Sequence, residues 1–313
     1  MKTKLITSLL LIFITSTISC NKEQPSRDNF SNLFKETFAK EAIIQSNIFK
    51  NAVSSIETTS NDATSLDNVR TFIENQYSKM DKKYLNTYNE LINYPLSPNK
   101  NFNASLHSIQ TIKKYQHKSE SLTKEEIREI VDVALNELTY SEYFSGDLPN
   151  LTQNSKDILM EFSLKLKTEL SDLAIELSDI EPIEYDINEK LETKLIGVVD
   201  NICQRVSSDK NIVGQERDII ESGLLQCELL IPSMISLSNT QNNSNLTKGW
   251  LKNVIKAVVR SVLFVVGGFT GCLVGVAATA WLGSTTGAIG GAIGAIAGIQ
   301  AGELIYFKLI DNW

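Results

Sequence analysis

The sequence predicts an all-α protein: a helical bundle followed by a C-terminal hydrophobic two-helix hairpin. Between residues 30 and 237, apolar residues recur at intervals of three and four, the period of one helix face, and strand patterns are almost absent. Between residues 261 and 302 no residue is charged, and glycines recur at every fourth position within each half of this segment. These two patterns divide the chain into a soluble helical part and an apolar tail.

The charges are also divided between the two parts. The chain of 313 residues has a net charge of −7, but its first 248 residues carry 26 basic and 35 acidic groups. The last 65 residues carry four basic and two acidic groups. Because phosphate backbones attract basic surfaces, the acidic front argues against nucleic acid as a partner.

Residues 1–19 have the pattern of a secretion signal. Lys2 and Lys4 precede an apolar run over residues 5–14, which would span roughly 15 Å as a helix, about half of a bilayer's hydrocarbon core. The run is therefore too short to anchor the chain by itself. It is followed by Thr17-Ile18-Ser19-Cys20, in which small residues lead up to a cysteine.

This cluster resembles the lipobox of bacterial lipoproteins, although Thr17 stands where that family usually has leucine. The resemblance implies that the Cys20 thiol receives a diacylglycerol and that the mature chain begins there, with residues 20–29 as a polar tether. Asn21 is not the aspartate that retains such proteins in the inner membrane, which favours the outer membrane. The alternative is an ordinary signal peptide with an incidental cysteine.

The segment 30–237 is interpreted as a helical interaction domain. Its stripes are most simply the faces of helices that pack into a bundle, and grooves that bind a partner protein are the alternative. The expected helices cover 30–53, 69–91, a segment beginning at the capping box Thr123-x-x-Glu126, 159–177, 191–206, and 215–230 before Pro232.

Residues that could carry catalysis are sparse. His107 and His117 are too far apart on a helix to share a metal ion, and we expect both to face solvent. No nucleophile, zinc or phosphate-binding motif occurs in the soluble part. We therefore expect a protein that is not an enzyme and has no metal or cofactor; an envelope hydrolase would need a site assembled from distant acidic residues.

Two of the remaining cysteines, Cys203 and Cys227, leave two interpretations open. They could form a disulfide after export to an oxidising compartment, or they could be two buried free thiols. Neither they nor Cys272 has the C-x-x-C spacing of a metal or redox motif.

After a flexible linker at 238–248, in which Lys248 is the one charged residue, residues 249–313 are predicted to form an amphipathic helix and a membrane hairpin. Lys252, Lys256 and Arg260 fall on one helix face, a pattern that suits an anionic lipid surface. The alternative is an ordinary surface helix. The uncharged 42 residues that follow are long enough for two passes of about 20, with the turn at 283–286.

A period of four places the glycines of each arm on one face, where a second backbone can approach closely. The predicted helix-packing glycines are Gly267, Gly271, Gly275, Gly290, Gly294, Gly298 and Gly302. In water this glycine content weakens a helix by about 1 kcal/mol per residue, so a bilayer suits the pattern better. Burial of the hairpin inside the helical domain until a trigger releases it is the soluble alternative.

Together with the lipobox, this glycine zipper resembles the 17 kDa surface-antigen type of outer-membrane lipoprotein. The hairpin also resembles the hydrophobic tail of pore-forming colicins. We therefore expect a non-enzymatic envelope lipoprotein that contacts membrane lipid, an unknown protein partner and, through the hairpin, other copies of itself. The rival hypothesis is a membrane-permeabilising, bacteriocin-like antibacterial toxin.

Overall fold

A computed structural model describes residues 27–57, 65–91, 104–116, 118, 122–139, scattered positions between 152 and 176, 187–239 and 250–311. All regular structure in these residues is helical, which confirms the predicted fold class. The helices are α1 (Arg27–Glu57), α2 (Ser65–Lys79), α3 (Lys82–Leu91), α4 (Leu106–Tyr115), α5 (Lys124–Thr139), α6 (Ile187–Ser208), α7 (Gln215–Asn239), α8 (Trp250–Thr279) and α9 (Ser284–Tyr306). A 3₁₀ turn at Ala280–Leu282 joins the last two, and a π-helical turn, Phe307–Asp311, follows α9.

The start of α5 confirms the predicted capping box. The backbone N–H of Glu126 donates to Thr123 Oγ1 at 3.3 Å, and the N–H of Thr123 donates to Glu126 Oε2 at 3.0 Å. Two of the N–H groups that the first turn of a helix leaves unpaired are thereby satisfied.

The helix predicted over residues 69–91 is wrong as a single element, because it is two helices. Its chain bends at Met80 and Asp81, and the Asp81 carboxylate accepts a hydrogen bond from the N–H of Lys83 at 3.0 Å. Aspartate in this position caps a new helix start more favourably than it continues an existing helix. The apolar spacing is preserved across the bend, so periodicity alone could not detect it.

The predicted end of a helix before Pro232 is also wrong, because α7 continues to Asn239. A proline inside a helix removes one N–H and clashes with the carbonyl four residues earlier. Pro232 is exposed and Glu228 is half-buried, so this interruption of the helix hydrogen bonds lies at the protein surface. Of the predicted linker, residues 240–248 lie outside the described residues, as do the signal, Cys20, residues 21–26 of the tether, His117 and the apolar residues of the 159–177 stripe. The last three residues of the predicted tether, 27–29, already belong to α1.

The hairpin of α8 and α9 lies at the centre of the fold. Among the described helices, five pack against it: α7 and α5 contact both arms, and α1, α2 and α3 contact α9. We call these five helices the sheath. Lys35 of α1 ties two of them together, because its Nζ lies 2.9 Å from Asp218 Oδ1 and 2.8 Å from Glu221 Oε2 of α7.

Candidate membrane-inserting hairpin

The two arms of the hairpin are antiparallel and meet through their glycines. A Cβ built on Gly271 would lie 2.7 Å from the carbonyl carbon of Gly294, and one on Gly294 would lie 2.8 Å from that of Gly271. The same reciprocal contact joins Gly267 to Gly298, where the built Cβ is 2.9 Å from the opposite carbonyl carbon. Ordinary carbon contacts are about 3.5–4.0 Å, so even alanine would force these backbones apart.

The glycine contacts continue along the whole length of the pair. Gly275 opposes Gly290 at the turn end, with a built Cβ 2.7 Å from the Gly290 carbonyl carbon. At the open end Gly302 opposes Leu263, with the built Cβ 2.8 Å from its carbonyl carbon. All seven glycines singled out in the sequence therefore lie on the surface where α8 meets α9.

The turn between the arms begins earlier than the sequence suggested. It comprises Ala280–Leu282 and Gly283, and α9 already begins at Ser284. Gly283 has a φ of +135°, a backbone conformation that residues with a Cβ rarely adopt. Leu282 is 49% exposed at this tip, in contrast to the enclosed arms.

Polar residues at the turn end replace the glycines in the same register. Thr279 Oγ1 donates to the Gly275 carbonyl at 2.7 Å and also lies 3.2 Å from the carbonyl oxygen of Thr286 across the turn. A single hydroxyl therefore connects the last turn of α8 to the first turn of α9.

The sheath is attached to the hairpin by buried hydrogen bonds as well as by apolar packing. Gln226 of α7 donates from Nε2 to the Ala288 carbonyl of α9 at 2.6 Å. Thr285 donates to Glu41 Oε1 of α1 at 3.0 Å, and Tyr84 of α3 donates to Glu41 Oε2 at 2.9 Å. Burial raises the pKa of the Tyr84 phenol to about 12, and its hydrogen bond to Glu41 adds to that effect. Tyr84 therefore remains a donor at neutral pH.

These attachments were not visible in the sequence. Gln226 and Glu41 are single polar residues in helices, and a polar residue in a helix ordinarily faces solvent. The only available signal was local: Gln226 follows Leu224 and Leu225 and precedes Cys227, so it interrupts an apolar run. A buried amide or carboxylate must find a partner, but the sequence does not name which one.

The charged residues at the open end of the hairpin are enclosed. Arg260 of α8 is only 3% exposed, its guanidinium lies over the rings of Phe264 and Tyr306, and its Nη2 is 3.8 Å from Glu303 Oε1 of α9. These two residues delimit the uncharged segment on both arms. Arg260 thus does not lie on the exposed basic face that the sequence suggested.

Of the other two residues of that basic face, the structure describes the side chain of one. Lys256 is half-buried, and the side chain of Lys252 lies outside the described residues. The spacing along α8 places Arg260 on the same face as the two lysines, but the sequence of one helix does not show how α9 packs against it. The ring of Tyr306 and the carboxylate of Glu303 come from that second arm.

Three helical stretches among the described residues are long and apolar enough to cross a membrane by length and composition. They cover Val258–Leu282 of the first arm, Ser284–Ile310 of the second arm with its extension, and Gln215–Ser238 of α7. The apolar segments are enclosed by the fold: 100% of the first-arm window, 83% of the second and 67% of that in α7 are buried. The spanning capacity of α7 was not expected.

The remaining candidate residues do not form a metal-binding group in the described part of the chain. There, no group of three His, Cys, Asp or Glu residues is arranged to hold a metal ion, and His107 is exposed. Cys203 is a half-buried free thiol, whereas Cys227 and Cys272 are fully buried free thiols. Burial raises the pKa of the Cys203 thiol to about 11, and the nearby carboxylates of Glu228 and Asp200 act in the same direction.

Comparison with known proteins gives no relative of this chain. No protein-family model, curated protein or solved structure matches it. The class of protein is therefore defined by the fold alone: a helical protein that encloses a glycine-zippered apolar hairpin.

Proposed function

We propose that this chain is a non-enzymatic envelope protein that stores a membrane-inserting hairpin and releases it into a bilayer. One observation carries the proposal: the two arms that are long and apolar enough to span a membrane are the same arms that the sheath encloses. A permanent membrane anchor has no need of a protein cover, because lipid already surrounds it. Storage explains both properties.

The packing within the hairpin supports transfer as one unit. Its glycine contacts are made between its own arms, so they need not be broken when the sheath is removed. In lipid, close backbone packing of this kind is the main source of helix association, because apolar side chains gain nothing by leaving the lipid. The hydrogen bonds that must break are those that join the hairpin to the sheath, such as those from Gln226 and Thr285.

The sheath helices can bind the membrane surface once the hairpin leaves. Its apolar faces, uncovered by release, suit the interface between lipid headgroups and acyl chains, where amphipathic helices lie flat. A diacylglycerol on Cys20, implied by the lipobox, would keep the stored form close to a membrane, with the outer membrane favoured. Permeabilisation of that bilayer, or of another cell's, is the outcome that distinguishes a toxin from an inserting anchor.

The test uses the exposed tip of the hairpin. Leu282 is 49% exposed, so Leu282→Asp should leave the stored fold intact, yet the tip must enter the hydrocarbon for the hairpin to span. The tip crosses the middle of the hydrocarbon during insertion, and there a charge costs about 3 kcal/mol. The matched control is Leu33→Asp, which places the same charge at a leucine of α1 that is 61% exposed and outside the hairpin.

The readout is the fluorescence of Trp281, beside the tip, in the full chain carrying Trp250→Phe and Trp313→Phe. On vesicles of phosphatidylcholine and phosphatidylglycerol, we expect quenching by lipids brominated in the acyl chain, with loss of that quenching only in Leu282→Asp. Leakage of an entrapped dye in the same samples separates permeabilisation from silent insertion. Equal quenching in both aspartate variants, or none in the parent with its cysteines reduced, contradicts insertion of the hairpin.

A further inference from the structure

Helix α7 and the first arm of the hairpin approach each other unusually closely. A Cβ built on Gly223 of α7 would lie 3.6 Å from the Cβ of Val276 of α8. Separations of 3.5–4.5 Å between Cβ atoms are those that a disulfide requires. The two helices run in opposite directions, so one turn forward along α7 and one turn back along α8 lead from this pair to Cys227 and Cys272.

A second contact fixes the same register at the other end of the two helices. The hydroxyls of Ser238 and Ser261 lie 2.8 Å apart, eleven residues beyond Cys227 on α7 and eleven before Cys272 on α8. Eleven residues are about three helical turns, so both pairs face the same seam. The cysteines therefore lie between two contacts that hold the helices together.

The surroundings of Cys227 agree with this register. Its Sγ lies 3.6 Å from the carbonyl oxygen of Phe269, one turn before Cys272 on α8, and its thiol also interacts with that of Cys272. Both side chains are fully buried.

We propose that Cys227 and Cys272 form a disulfide that locks the first arm of the hairpin to α7. The pairing differs from that of Cys203 with Cys227, which the sequence suggested as one of two alternatives. As a lock on the stored state the disulfide rests on the proposed function, but its existence does not.

The chemistry is an exchange with an external disulfide, for which glutathione disulfide serves as a probe. One cysteine thiolate attacks it, forming a mixed disulfide and releasing one glutathione thiolate. The second cysteine thiolate attacks the protein sulfur of the mixed disulfide, forming the protein S–S bond and releasing the second glutathione thiolate. Two cysteine thiols are oxidised, one glutathione disulfide is reduced, and the two protons leave on the glutathione thiols. Because buried thiols react slowly, we place this exchange in folding, before the sheath closes.

The disulfide would join the two parts of the molecule that must separate. Release of the hairpin requires α8 to leave α7, and a covalent bond at the centre of their seam prevents it. Reduction then becomes a condition for release, and oxidation secures a stored fold that the reduced chain also adopts.

The experiment refolds the full chain from urea in glutathione buffers that are oxidising or reducing. Free thiols are alkylated in denaturant, and the linked peptides are identified by mass spectrometry. We expect a peptide that links Cys227 to Cys272 in the oxidised sample. It should be lost in Cys227→Ser and in Cys272→Ser but retained in the matched control Cys203→Ser. A link from Cys203 to Cys227, or no link after oxidative refolding, overturns the proposal.

The lock is measured in two ways on the same samples. Without membranes, the amides of α8 should exchange with deuterium at least tenfold more slowly in the oxidised protein, since opening of the seam is restricted. With vesicles, quenching of Trp281 should require reduction. Equal exchange in the two states rejects the lock even if the disulfide forms. A protected, disulfide-linked hairpin that enters no vesicle after reduction retains the lock and instead rejects the proposed function.

Discussion

Replacement of Gly294 by alanine tests the central contact of the hairpin. Helix propensity alone favours alanine over glycine by about 1 kcal/mol. At this position, however, the new Cβ would lie 2.8 Å from the carbonyl carbon of Gly271 and 3.2 Å from the Cα of Gly275. The Gly271 carbonyl oxygen is closer still, and all three neighbours are backbone atoms. Relief therefore requires the two helices to move apart by about 1 Å or more, judged from ordinary carbon contacts of about 3.5–4.0 Å.

The expected magnitude follows from opposing these two effects. Overpacking of a core costs about 1–3 kcal/mol, and the rigid backbone places this site at the upper end. After subtraction of the helix-propensity gain, Gly294→Ala should lower the free energy of unfolding by about 2 kcal/mol.

A matched glycine supplies the control. Gly197 lies in α6, and a Cβ built on it meets no atom within 4 Å. Gly197→Ala should therefore raise the free energy of unfolding by about 1 kcal/mol, because only helix propensity acts. Urea unfolding followed by far-UV circular dichroism measures both variants. If Gly294→Ala stabilises the protein as much as Gly197→Ala, the close contact of the two arms is refuted.

Three further predictions concern the sheath helices and their attachment to the hairpin. Burial would lower the pKa of Lys35, but its hydrogen bonds to two carboxylates of α7 outweigh this and raise the pKa. The ion pairs of Lys35 therefore stabilise the folded protein fully below about pH 10.5, and this stabilisation is lost as the pH rises through the higher folded pKa. Thermal melts between about pH 9 and 12 should accordingly fall more steeply in wild type than in Lys35→Met, and parallel curves would contradict this. Thr123→Ala removes the capping box with Glu126 and should lower the free energy of unfolding by about 1 kcal/mol, as measured by urea unfolding. An unchanged free energy of unfolding would show that the cap is not formed. Thr285→Val keeps the side-chain shape but removes the hydrogen bond to Glu41, so it should cost about 1 kcal/mol and increase the fraction of protein that floats with vesicles; an unchanged fraction would show that this bond does not restrain the hairpin.

The helical class and much of the core were predictable because each stripe repeats with the helix period. Val69, Ile73, Tyr77, Tyr84 and Tyr88, expected on one face, are all buried. Their chain nevertheless divides into two helices, because a capping aspartate acts on the backbone without disturbing the apolar spacing. Local signals of this kind become decisive only when the neighbouring turns are known.

The location of the hairpin could not be predicted in the same way. An uncharged segment is satisfied equally by lipid and by the apolar faces of other helices, and its composition does not distinguish the two. The sheath stripes gave no help, since they would look the same packed on one another or on the hairpin. The glycine spacing predicted a close helix contact but not its partner, which the structure identifies as the other arm.

The order of the helices along the chain has a consequence for folding during synthesis. The sheath helices are made before the hairpin around which they pack, and the contact between Glu41 and Thr285 joins residues 244 positions apart. Contacts so distant in sequence form slowly, and until they form the surfaces of α1 and α7 that pack on the hairpin stay uncovered. The nascent chain must therefore remain unfolded and protected from aggregation until α9 has emerged. A ribosome that stalls after α7 would leave a fragment whose hairpin-facing apolar surfaces are exposed, and such a fragment is prone to aggregation and proteolysis.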